Sequence, residues 1–327
     1  MEIIAEIAQG YEGNPNLAKL LVKGALATKA DAVKMQLVYA DEICVPSYPY
    51  HDLFKSLEMS EHIWKSLVDL VHTNNQRIYF DVYGNQSLEK AIALGADGVK
   101  ISTTDFYNAD LIDKAFANFN RVYLSIGGVP IEEIRAVVEK KNRPKYLTLM
   151  HGFQAEPTPL EENNLLRIKK LKEIFPDLDI GFMDHSDGKM DDSLYLPILA
   201  LGLGCDCLEK HISLDHALEI EDHISALTVD NFSKLVTILN GLKIAMGTNS
   251  FEFSKGEQDY KNRAGKIIVA NTDIKAGEIL NYQNMTLKRV SLKNASDTFR
   301  RLNELVGAVA KSEHTKNSPL LKSNILI

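Results

Sequence analysis

The chain has 327 residues, enough for one large domain and a small one, and its 45% hydrophobic and 25% charged residues are the balance of an ordinary globular protein, which excludes a disordered one. A formal net charge of −7 and a pI near 5.8 argue against a general nucleic-acid or anionic-membrane partner, so an anionic ligand has to be held by a few placed lysines. No apolar run reaches the length of a membrane span, and the opening MEIIAEIAQG lacks a basic region followed by an apolar core. A cytoplasmic protein is therefore expected, with its three cysteines reduced.

In chain order, short β-branched runs alternate with amphipathic helical stretches. The strands are expected at Glu2–Ile7, Ala32–Gln36, Arg77–Asp81, Gly98–Ile101, Arg121–Ser125, Tyr146–Met150, Ile180–Met183 and Cys205–Glu209. Helices are expected near Leu17–Thr28, Glu61–Thr73, Ser87–Leu94, Ala109–Phe116, Ile131–Lys140, Asn163–Ile174, Ser193–Leu201 and Asn231–Ala245. Ser60 stands where an N-cap belongs and Gly95 where a C-cap belongs. Cys205 and Cys207, two apart in an apolar strand, are expected to face one side as small buried side chains. This alternation is the (β/α)8 pattern. Residues 248–265 read as a polar linker, and 266–327 as a compact tail of short strands, after a catalytic barrel of 1–247.

A barrel places its chemistry at the C-terminal ends of its strands. Those ends carry Glu6, Lys34 with Gln36, Asp81, Lys100 with Thr103, Ser125, His151 with Gln154, Asp184 with His185, and Glu209 with His211. Polar groups at every end point to one polar pocket. His185 and His211 are one βα step apart, which brings two imidazoles side by side where they can share a metal ion; singly, each is more often a satisfied polar residue. Lys34 and Lys100 are candidate anion holders, with exposure at a strand end as the plainer alternative. Asp184 and Glu209 are expected to orient neighbours, and the aromatic stretch SYPYHDLF (47–54) to form a lid or a plain packed loop.

The motifs EIAQGYEGN (6–14), AVKMQ (32–36), GVKIS (98–102), YLSIGG (123–128), MHGFQAEPTP (150–159), GFMDHSDG (181–188) and LEKHIS (208–213) together resemble the sialic acid synthases, the N-acetylneuraminate synthase group and its legionaminic and pseudaminic relatives. The tail, with NTDIKAGEIL (271–280) and LKRV (287–290), is similar to that family's C-terminal antifreeze-like (SAF-type) domain. The resemblance implies a TIM barrel followed by that small domain. It also implies condensation of phosphoenolpyruvate with an open-chain aldose to a nonulosonic 2-keto acid and phosphate. The implied cofactor is a divalent metal, Mn2+ or else Mg2+ or Co2+, held by His185 and His211. Carried over by position, Glu6, Lys34 and Lys100 are the expected catalytic residues, and Gln36, Asp81, Thr103, Asp105, Ser125, Gln154, Glu156 and Met183 line the substrates. Arg289 matches an arginine that reaches a neighbouring subunit's pocket, which implies a domain-exchanged homodimer.

Departures from the family pattern gather on the acceptor side. Gly10 and Tyr11 replace an Asn-His pair, Asp81-Val82-Tyr83 a Ser-Thr-Pro element, and Gln154 with Glu156 an Asn-x-Tyr pair. Met183 replaces a serine, and Arg289-Val290-Ser291 an Arg-Pro-Gly. The same reaction on a different aldose is the resulting expectation. The competing readings are a Schiff-base pyruvate aldolase using Lys100 or Lys34, a metal-dependent hydrolase using His185, His211 and Asp184, and a sugar-binding relative without turnover.

Overall fold

The computed structural model describes residues 1–290 and 297–327, so Ser291 lies outside the described residues. The chain forms two compact units, Met1–Gly247 and Thr248–Ile327. In the first, β1 (Glu2–Glu6), β2 (Ala32–Gln36), β3 (Arg77–Val82), β4 (Gly98–Ile101), β5 (Arg121–Ser125), β6 (Tyr146–His151), β7 (Asp179–Asp184) and β8 (Cys207–Ser213) pair in parallel in sequence order, and β1 also pairs with β8. The sheet is closed, an eight-stranded TIM barrel. A short β9 (Leu227–Thr228) adds to the end of β8. No helix of the described residues is long and apolar enough to cross a membrane.

The period of two along each strand sorts residues into an outer and an inner layer. Ile3, Val33, Phe80, Val99, Leu124, Leu149, Phe182 and Leu208 point outward into the core shared with the helices. Facing inward, Ile4, Ala32, Tyr79, Tyr123, Met150, Met183 and Cys207 fill the barrel's waist. Two positions further along the same strands come Glu6, Lys34, Asp81, Ser125 and Glu209, so one apolar layer supports one charged layer. Below the waist, Glu2 accepts hydrogen bonds from Tyr79 at 2.7 Å and Tyr123 at 2.5 Å and pairs with Arg77 at 2.8 Å. Glu2→Ala strands these donors and should destabilise the first unit by about 2–4 kcal/mol, read by chemical denaturation.

Several local expectations need correction. β8 begins at Cys207 rather than Cys205, so the two cysteines do not share a side: Cys205 joins the helix-facing core and Cys207 the waist, both buried. Ser60 sits at the N-cap of the helix Glu61–Thr73, but its hydroxyl bonds the His62 Nδ1 at 2.9 Å instead of capping backbone. Gly95 does end its helix, at φ +78°, where a side chain would be strained. The expected linker contains a helix, Lys255–Ala264, because Ser254 and Glu257 form a reciprocal capping box that stabilises an otherwise polar segment. Beyond it, β10 (Ile267–Ala270) and β11 (Met285–Lys288) pair antiparallel over a small core of Ile268, Leu280, Leu305 and Leu320, and β12 (Val309–Ala310) pairs with β13 (Ile325–Leu326).

Candidate active site

The C-terminal mouth of the barrel opens into a cavity of about 900 Å3. Its wall includes Glu6, Lys34, Gln36, Asp81, Lys100, Thr103, Asp105, Ser125, Gln154, Met183, His185 and His211, which are the expected site residues save two. Glu156 does not line it; its carboxyl turns to Asp222 instead. Arg289 follows β11 in the second unit and is exposed.

Register explains the floor. Glu6 is level with Lys34 and with His211, and Asp81 with Lys100. Lys34 is fully buried, not exposed at a strand end; its ammonium contacts Glu6, lies 2.8 Å from Asp81 and reaches Glu209 at 3.6 Å. Lys100 is 2.5 Å from Glu209 and 3.4 Å from Asp81. Glu209 is thus a full member of the charged floor, beyond the orienting role expected of it. Burial works against a charged Lys34, but Asp81, Glu209 and Glu6 outweigh it and hold the ammonium well above the ordinary lysine range. Glu6 moves the other way: burial, reinforced by Glu209 and Asp81 against the pull of Lys34, pushes its carboxyl up to about 8. Glu209, despite burial, is held below its ordinary range by Lys100 and Lys34.

Gln36 is oriented from three sides. Tyr83 donates to its Oε1 at 2.6 Å, Gln9 at 2.7 Å, and Tyr11 to its backbone carbonyl at 3.1 Å. With the carbonyl end fixed, the amide end is the donor left for a ligand. Met183 fills the position between Ser125, whose hydroxyl is 3.2 Å from the sulfur, and Lys100 at 3.7 Å. Its depth depends on Gly152, at φ +123°, where a Cβ would stand 2.5 Å from the Met183 carbonyl oxygen.

The two histidines meet as expected, with ring centroids 5.1 Å apart and planes inclined by 52°. Burial, then repulsion from Lys100 and Lys210, lowers His185 to about 4; burial, then His185 and Lys34, lowers His211 well below the ordinary imidazole range. Both are neutral at pH 7, the form that ligates metals. The Nδ1 of His185 is buried without a hydrogen-bond partner. A pair of adjacent neutral imidazoles with an unsatisfied buried nitrogen fits a divalent metal ion. Asp184 orients the following loop by accepting from the Ser186 backbone at 2.8 Å, and it pairs with Lys210 at 3.3 Å. His151 makes a hydrogen bond at 2.9 Å to the Asn163 carbonyl and stays out of this cavity.

The aromatic stretch 47–54 does reach the cavity, through Tyr48 and Phe54, and Glu42 to Val45, which were not anticipated, extend the same rim; the connection carries two short helices, Ala40–Ile43 and His51–Ser56. Tyr83, Glu221 and Asp222 also line the cavity. Asp222 lies 3.7 Å from the His211 Nδ1, and burial together with the neighbouring Glu156 pushes its carboxyl up to about 8.

The family model described as the NeuB family matches residues 21–251, and the SAF domain model matches 265–326. The chain belongs to the NeuB family. An N,N'-diacetyllegionaminic acid synthase of Campylobacter jejuni is 29% identical to this NeuB chain over 96% of it and 97% of the relative. An uncharacterised protein of Methanocaldococcus jannaschii is 30% identical, covering 88% of the chain and 84% of that protein. Among solved structures, the N-acetylneuraminic acid (sialic acid) synthetase of Leptospira borgpetersenii, crystallised with citrate, matches at a TM-score of 0.73 and 27% identity over 80% of the NeuB chain and 90% of that one. The named relatives of this NeuB chain are sugar-acid synthases.

Proposed function

We propose that the protein condenses phosphoenolpyruvate with an open-chain aldose to give a nonulosonic-type 2-keto acid and phosphate, in a divalent-metal-dependent reaction. The observation that carries this reading is the charged floor of Glu6, Lys34, Asp81, Lys100 and Glu209 directly beside two neutral histidines in one cavity. Lys34 and Lys100 meet the phosphate and carboxylate of the enol substrate, aided by the free amide end of Gln36 and by Ser125 and Thr103. These fixed donors exclude water from the anion and hold its terminal carbon towards the acceptor aldehyde. A divalent ion held by His185 and His211 would, when bound, polarise that aldehyde and add positive charge beside the floor. The new bond joins the terminal methylene carbon of the enol phosphate to the aldehyde carbon, water adds to the carbon that bears the phosphate while a proton passes to the former aldehyde oxygen, and the bond from that carbon to the phosphate oxygen breaks, leaving the 2-keto acid and phosphate. Glu6, which keeps its proton at neutral pH, stands at the floor to give or take a proton in these steps. Arg289 is assigned the acceptor contact that the family resemblance implies, in a domain-exchanged dimer.

A Schiff-base aldolase needs a neutral lysine, whereas Lys34 is held charged by the carboxyls around it, Asp81 and Glu209 foremost, and Lys100 is paired with Glu209 at 2.5 Å; Lys210, whose ammonium burial does weaken, donates to the Ser186 carbonyl at 2.8 Å and lies outside the cavity wall. Borohydride with pyruvate should therefore leave Lys34 and Lys100 unmodified by mass spectrometry. Phosphate release with phosphoenolpyruvate and a panel of aldoses should need both an added divalent metal and one aldose; release that ignores chelation would overturn the metal-dependent reading.

A further inference from the structure

Glu156, His211 and Asp222 each offer one ligand atom, and these atoms lie within 4.8 Å of one another. Asp222 and His211 are buried, at 5% exposure each, and the Oε1 of Glu156 is buried with no hydrogen-bond partner. The lysines nearest the cavity floor are already engaged by Glu6, Asp81 and Glu209, and Gln154 reaches Asp222 only at 3.5 Å. Two carboxyls and an imidazole thus converge on one point, and among the described residues no lysine or arginine forms an ion pair with either carboxyl. His185, with its own unpartnered buried nitrogen, stands beside His211.

We infer that Glu156 and Asp222 act with His211 as protein ligands of the divalent ion, with His185 adjoining, so that the ion is bound before either substrate arrives. This rests on the metal-dependent reading above, and it moves Glu156 from the sugar wall to the metal. A mixed oxygen and nitrogen set accepts first-row divalent ions, Mn2+ among them, with the carboxylates suiting the harder ones.

The test is Mn2+ binding by the chelator-stripped full chain without substrates, followed by isothermal titration and by the electron paramagnetic resonance signal of free Mn2+. Wild type should take up one ion per chain. Glu156→Gln and Asp222→Asn, which preserve shape, should each weaken binding at least tenfold, and their melting curves check that they fold. Exposed Glu161→Gln should bind as wild type does. Wild-type affinity in folded Glu156→Gln, with loss in His211→Ala, overturns the carboxylate ligands and leaves the histidine site standing. Unchanged binding in His185→Ala and His211→Ala as well would bring down the metal reading itself.

Discussion

Lys34→Met should destabilise the first unit by about 3–5 kcal/mol, because it leaves Glu6, Asp81 and Glu209 facing one another around an apolar side chain. For a domain of this size that corresponds to a fall in melting temperature of roughly 6–20 °C, measured by differential scanning calorimetry. Phosphate release should drop about 10²–10³-fold as well, since one of two cations facing the substrate is gone. Adding Glu6→Gln to Lys34→Met should recover part of the lost stability, because it removes one of the stranded carboxyls and the two sites are in contact. A melting shift below 2 °C in the single variant would contradict the buried ion-pair network.

Glu6→Gln alone separates a proton-holding role from a purely electrostatic one. The folded value of about 8 lies above the ordinary 4.5, so the native state keeps a proton that the unfolded chain releases. Stability contributed by this group is present at acid pH, declines as pH rises between those values, and is lost above about 8. The glutamine variant should flatten that decline in a series of melts. Turnover at pH 7 should fall by about 10²–10⁴, and the limb of the kcat/KM profile near pH 8 should disappear with it. A variant with wild-type turnover would remove Glu6 from the chemistry.

Most of the barrel was legible because each inner strand obeys a period of two between hydrophobic flanks. β2, β4 and β5 lie where the alternation places them, β1, β3 and β6 differ by a residue at one end, and β7 by a residue at each end. β8 was displaced because its charged stretch Glu209-Lys210-His211 looks like a loop, whereas every residue of it is buried and paired within the fold. The candidate site followed from the strand ends for the same reason, since tips at one mouth converge. Strand periodicity says nothing about connections, so Asp222, Glu221 and the rim from Glu42 to Val45 went unseen, whereas the aromatic composition of 47–54 did mark Tyr48 and Phe54. Glu156 was misplaced for a related reason. Its position in the chain gives the loop but not the direction of its carboxyl, which Asp222 and His211 determine.

The pairing of β1 with β8 sets Glu6 level with His211. During synthesis, the first strand therefore leaves the ribosome with Glu6 and, although β2 follows soon after, waits for about two hundred further residues before its second neighbour exists. Such distant pairing makes closure a late and slow event, and the helices that already flank the earlier strands must keep the open edge from pairing elsewhere. The charged floor draws on both of the barrel's closing edges, so a chain stopped before β8 has neither Glu209 nor His211 and cannot assemble it. Catalytic competence arrives with the last seam.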